Sequence, residues 1–196
     1  MNPTLSAQPD AASSPATFPA WLCSASMVLA ASVLVAVCAH ISIPFYFTPV
    51  PLSMATFAVL VLGLLLSPRM AAATLVTYLA EGAFGLPVFA PGPLSGLAHL
   101  LGPTGGYLIA YPMAATLVSF LWKRTGRSFA GALASAAVGS LIILLCGAIW
   151  LAGLTHASAQ AIFTLAMLPF FAGDVLKIAA AAGVASGFER LRRFTR

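Results

Sequence analysis

Pro169-Phe170-Phe171-Ala172-Gly173-Asp174-Val175-Leu176-Lys177 opens the last apolar stretch of the chain and places two charges where hydrocarbon-facing segments carry none. Asp174 and Lys177 are three residues apart, so on a helix they share a face and can meet. An ionisable side chain at membrane depth costs at least about 2.5–3.5 kcal/mol, so it is retained for a partner, a cavity or a substrate. Two explanations stay open. The pair can simply neutralise itself inside the protein, although a buried ion pair is weak evidence for stability; or it can hold a bound molecule.

The surrounding composition is that of a membrane protein. Of 196 residues, 61% are hydrophobic and 7% charged, against about 25% charged in a soluble domain. Apolar runs long enough to cross a bilayer recur, so the expected fold is an all-α integral membrane protein with six transmembrane helices. A formal charge of +5 does not argue for nucleic acid, because the basic residues are few and scattered around apolar spans, where they orient the chain in the bilayer. Cys23, Cys38 and Cys146 lie in apolar runs with no CxxC and read as small buried hydrophobes.

Residues 1–20 are rich in Ala, Ser, Pro and Thr, with Asp10 their sole charge, and no Lys or Arg precedes Arg69. The positive n-region of a signal peptide is missing, and the segment reads as a disordered tail. The membrane domain is expected over 21–189. Its first span, 21–41, carries two small-xxx-small pairs, Ser26/Ala30 and Ser32/Ala36, which let another helix approach closely. That helix belongs either to this chain or to a separate membrane subunit. Three prolines between Pro44 and Pro51 then forbid regular structure. Further spans are expected at 52–66, from Ser67-Pro68-Arg69 to about 84, at 107–122, at 129–151 and at 169–188. Residues 153–168 read as a loop with a short interfacial helix. Residues 85–106 are dense in Gly and Pro and almost free of charge, so this long loop packs against something.

Charge sets the orientation. With both termini cytoplasmic, the inner segments hold Arg69, then Lys123, Arg124 and Arg127, then the basic tail 190–196 with Arg190, Arg192, Arg193 and Arg196: eight of the nine basic residues. The outer loops 42–51 and 85–106 hold none, as the positive-inside rule requires. Asp174 and Lys177 then lie toward the outside, under two neutral loops. That arrangement suits a small, mostly apolar molecule with a few polar groups.

Other chemistries fare worse. His40, His99 and His156 fall in three separate segments without ligand spacing, so no metal is expected. Ser95 and His99 are close, but there is no GxSxG, HExxH or Walker loop, and the protein is not expected to be an enzyme or to need a cofactor. A proton-coupled carrier is the rival from another class, with Asp174 and Glu81 exchanging protons. Six spans without an inverted repeat would oblige such a carrier to form a homo-oligomer. Glu81 can equally snorkel outward or cap the loop after it.

Tyr78-Leu79-Ala80-Glu81-Gly82-Ala83-Phe84-Gly85-Leu86-Pro87-Val88-Phe89-Ala90, followed by Leu101-Gly102-Pro103-Thr104-Gly105-Gly106-Tyr107-Leu108, resembles the BioY family, the biotin-specific substrate-binding (S) components of energy-coupling-factor transporters. Pro49-Val50-Pro51-Leu52-Ser53-Met54 and the 169–177 stretch look like that family's other landmarks. The resemblance spans roughly 25–190. It implies a six-helix protein that binds biotin from outside and pairs with a transmembrane coupling subunit and cytosolic ATPases. The small residues Ser26, Ala30, Ser32 and Ala36 would then form the docking surface for the coupling subunit. An S component for another vitamin is the nearest alternative.

Biotin's ureido group offers N–H donors and an acceptor, so Asp174 can accept from it while Lys177 donates to its oxygen or offsets the Asp charge. Glu81, Tyr107 and Thr104 could add polar contacts, and Phe45, Phe47, Phe57, Phe89 and Phe171 apolar walls. The chain departs from the family in two places. Ala55 stands where relatives show Gln, and residues 85–106 lack the Arg that relatives place there. The biotin carboxylate is left to backbone N–H groups of the Gly102–Gly106 run, to His99 or to water.

Overall fold

A computed structural model describes residues 19–195; the expected N-terminal tail lies outside them but for its last two residues. Helix α1 (Ala20–His40) leads into a short antiparallel pair, β1 (Ser42–Ile43) and β2 (Leu52–Ser53), with Ser42 opposite Ser53 and Ile43 opposite Leu52. This pair ties the two ends of the proline-rich loop together. Helices α2 (Ala55–Leu65) and α3 (Pro68–Ala83) follow. Ser67 separates them: its hydroxyl accepts from Met70 N, and Pro68 occupies the first turn, where no N–H is needed. The loop after α3 contains α4 (Gly96–Leu101), and α5 (Gly105–Arg124) and α6 (Phe129–Thr155) form the centre of the bundle. Helix α6 starts on a Ser128 cap and stops at His156, whose left-handed backbone (φ 51°) breaks the helix.

The last element differs from expectation. A short helix does lie between 153 and 168, but instead of ending in a loop before Pro169, α7 (Ala159–Ile162) runs through a π-turn (Phe163–Met167) into α8 (Leu168–Phe194). Pro169 sits in the first turn of α8, and the widened turn before it absorbs the break in register that a proline brings. At its far end α8 continues to Phe194, where Glu189 is bridged by Arg127 at 3.0 Å.

Among the described residues four helical stretches are long and apolar enough to cross a membrane: Trp21–His40, Gly105–Arg124, Phe129–Thr155 and Ala159–Phe194. Helices α2 and α3, of 11 and 16 residues, reach only about 17 and 24 Å at 1.5 Å per residue, short of about 30 Å of hydrocarbon.

Helix α5 packs against α2, α3 and α6, and α8 closes the bundle against α2 and α6. The larger core gathers Val35, Leu75, Tyr78, Tyr111, Ile143 and Leu151 beneath the two loops. A second core, built on Leu60, Val118, Trp122 and the alanines 132, 136, 181, 182 and 185, fills the opposite end. Large apolar side chains of α1, among them Met27, Leu29, Val33 and Val37, face outward, as hydrocarbon as a solvent permits. Cys23 shares that outward exposure rather than being buried; Cys38 and Cys146 are half-buried, and all three are free thiols.

Candidate functional site

The helical spacing of Asp174 and Lys177 does bring them together: Lys177 Nζ lies 3.4 Å from Asp174 Oδ1, and each residue is only 6% exposed. Two other helices complete the cluster. Ser140 Oγ of α6 donates to Asp174 Oδ2 at 2.7 Å. Lys177 Nζ donates to Thr56 Oγ1 of α2 at 2.9 Å, and Thr56 in turn reaches Ser53 O at 3.5 Å. A carboxylate can accept about four hydrogen bonds and an ammonium can donate three. Each group therefore retains capacity, and both line a cavity.

That inner cavity, about 50 Å³, is walled by Thr56, Tyr78, Tyr107, Tyr111, Ile143 and Phe170. It adjoins an outer compartment of about 410 Å³ between the two neutral loops, lined by Phe45, Pro49, Pro91, Pro93 and Leu94. Pro51, His99 and Thr104 border both spaces and form the neck between them.

Local packing fixes the tyrosines. At the start of α5, a Cβ on Gly106 would lie 2.2 Å from Trp150 Cβ, and one on Gly147 would lie 2.3 Å from the Tyr107 ring. These glycines let α5 and α6 touch closely enough to lay the Tyr107 ring across α6. The Tyr107 hydroxyl then donates to Ala166 O in the π-turn at 2.9 Å. Tyr78 donates to Val88 O at 3.1 Å and so ties α3 to the loop above it. Tyr111 is buried, lines the cavity and makes no hydrogen bond to another described residue.

Of the residues singled out in the sequence, Asp174, Lys177, Tyr107 and Thr104 line the inner cavity, and Phe45 lines the outer compartment. Phe45 stacks on Phe47 at 5.1 Å and meets Phe170 edge-on at 6.4 Å. Phe89 stands behind the wall, between Tyr78 and His99 at 5.4 and 5.0 Å. Phe171 is not in the cavity wall: one residue on, about 100° around the helix, it is 49% exposed, and the 5% exposed Phe170 is the lining residue instead. Phe57 is half-buried against the second core. Glu81 accepts from Ser32 Oγ at 3.0 Å and joins α3 to α1, away from the cavity lining.

The four small residues of α1 divide between two faces. Ser26 and Ala30 are exposed, whereas Ser32 is fully buried and Ala36 packs partly against the larger core. Among the described residues no group of three His, Cys, Asp or Glu is placed to hold a metal. Sequence reasoning missed Ser140, Thr56 and Tyr111. Tyr111 had a signal, four residues beyond Tyr107 and hence on the same face of α5; the two hydroxyls had none beyond being polar in apolar runs.

A family model described as the BioY family matches residues 13–194. The chain is 40% identical over 144 residues to the probable biotin transporter BioY of Pyrococcus horikoshii, covering 74% of this chain and 82% of that one. It is 35% identical over 158 residues to the biotin transporter BioY of Thermotoga maritima, covering 81% and 90%. A crystal structure of the S-component for biotin from an ECF-type ABC transporter superposes with a TM-score of 0.78 and 26% identity, covering 90% of this chain and 94% of that one. Sequence and architecture agree that this chain belongs to the BioY family.

Proposed function

We propose that this protein is the membrane-embedded S component of an energy-coupling-factor transporter and that it binds biotin for uptake. The observation that carries the reading is the buried Asp174–Lys177 couple, held by Ser140 and Thr56 and lining a cavity beneath two neutral loops. Asp174 accepts from the ureido N–H groups, Lys177 donates to the ureido oxygen, and Tyr107, Tyr111 and Phe170 enclose the bicycle. The relatives named as biotin transporters and the biotin S-component structure support that ligand. Glu81, engaged by Ser32, is not among the cavity's polar groups, which weakens the proton-carrier alternative.

The topology we favour has six spans with both termini cytoplasmic, α2 and α3 being short spans completed by their loops. The Arg127–Glu189 bridge supports it by joining the basic α5–α6 turn to the basic end of α8. A transmembrane coupling subunit is the partner for the exposed Ser26/Ala30 edge of α1, with cytosolic ATPases supplying energy and lipid bathing the apolar side chains. Binding of labelled biotin to the purified protein tests the site: Asp174→Asn should weaken it at least tenfold. Wild-type affinity in that variant would remove Asp174 from the site. Uptake with and without the ATPase subunits tests the dependence on partners.

A further inference from the structure

We infer that the protein accepts biotin amides, in which the ligand's carboxylate is replaced by a neutral amide carrying a further group. The inference rests on the biotin reading above and deepens it. The inner cavity, about 50 Å³, is below the about 300–1,000 Å³ of ligand pockets, so a drug-sized ligand must extend through the neck into the outer compartment. That compartment, about 410 Å³, is lined by Pro44, Phe45, Pro49, Pro91, Pro93 and Leu94 among others, and no Lys, Arg, Asp or Glu among the described residues lines it.

The neck carries the same message. His99 Nδ1 lies 3.1 Å from Leu94 O. A carbonyl only accepts, so Nδ1 bears the proton that it donates there. That N–H is spent on the loop carbonyl rather than offered to a ligand carboxylate. Lys177, the one Lys or Arg among the described residues lining either space, is committed to Asp174 and Thr56 at the inner end. The end of the ligand that leaves through the neck therefore meets no opposite charge, and replacing its carboxylate forfeits little. The outer compartment has room for what the amide carries.

Competition against labelled biotin on the purified full-length chain tests this, with biotinamide and ε-N-biotinyl-lysine as probes. Both should compete within tenfold of biotin. If biotin binds and the amides are more than tenfold weaker, the inference falls and the biotin reading stands. If biotin itself does not bind, the underlying reading falls. A second arm uses Gly92→Trp, since a Cβ at Gly92 meets only Ala90 O, at 4.0 Å, and the residue lines the outer compartment. It should lower affinity for biotinyl-lysine at least tenfold relative to biotin, with the melting temperature of the unliganded variant reporting that it is folded. An unchanged ratio would mean that the appended group does not occupy the outer compartment.

Discussion

At the scale of single residues, the question is whether the buried pair serves itself or a ligand, and the two roles separate experimentally. Removing one partner of a buried pair costs about 3–5 kcal/mol, whereas replacing both with apolar groups of similar volume is often neutral or stabilising. The double variant Asp174→Leu, Lys177→Met should therefore melt close to the wild type in the absence of ligand, yet lose biotin binding entirely. A self-satisfying pair would leave binding intact. Tyr111 gives a finer test, because its hydroxyl lines the cavity without a partner among the described residues. Tyr111→Phe should leave thermal stability unchanged or slightly raised while weakening biotin about tenfold, near 1.4 kcal/mol. Unaltered affinity would assign that hydroxyl no part in the site. The sequence exposed the charges because charge is rare in hydrocarbon. It could not expose Ser140 or Thr56, since small hydroxyl residues are common in membrane helices and only tertiary packing selects the two that meet the pair.

Elements carry the next level, where glycine and irregular helix geometry place the side chains. The α5–α6 contact depends on the absence of a Cβ at Gly147, where one would lie 2.3 Å from atoms of the Tyr107 ring. Gly147→Ala must rotate that ring or part the helices, and either movement strains the bond from Tyr107 to Ala166 O. Overpacking of this kind costs about 1–3 kcal/mol, so the melting temperature should fall by several degrees and biotin affinity should fall with it. Gly153→Ala, where a Cβ has open space, is the control expected to change neither. Helix identity was legible from hydropathy for α1, α5, α6 and α8, because long apolar runs admit few alternatives. The short α2 and α3 were legible too, because Ser67-Pro68 ends one and caps the other; α3 matches its expected bounds within one residue, and α2 starts three residues later than expected. The π-turn at Phe163–Met167 was not legible at all. Its i→i+5 pattern answers to Tyr107 and Pro169 jointly, and no local propensity encodes that.

For the whole molecule, the loops and the bundle form one device: a rigid helical floor under two neutral covers. The floor is fixed by the Asp174 cluster and by Tyr107 on Ala166 O. The covers are held chiefly by the β1–β2 pair, Tyr78 on Val88 O, His99 on Leu94 O, Trp150 Nε1 donating to Gly102 O at 2.9 Å and the Phe45–Phe170 edge contact. An inner space of about 50 Å³ holds only a few waters, so a ligand that reaches Asp174 must first widen the neck and then be closed over. Irregular loop segments open more readily than packed helix centres, which points the motion to residues 42–54 and 85–104 rather than to α5 or α6. Saturating biotin should accordingly slow backbone amide exchange in those two loops by tenfold or more and leave the centres of α5 and α6 within twofold. Protection confined to the helices, with the loops unchanged, would mean that the ligand enters between helices and that the loops are fixed walls rather than covers.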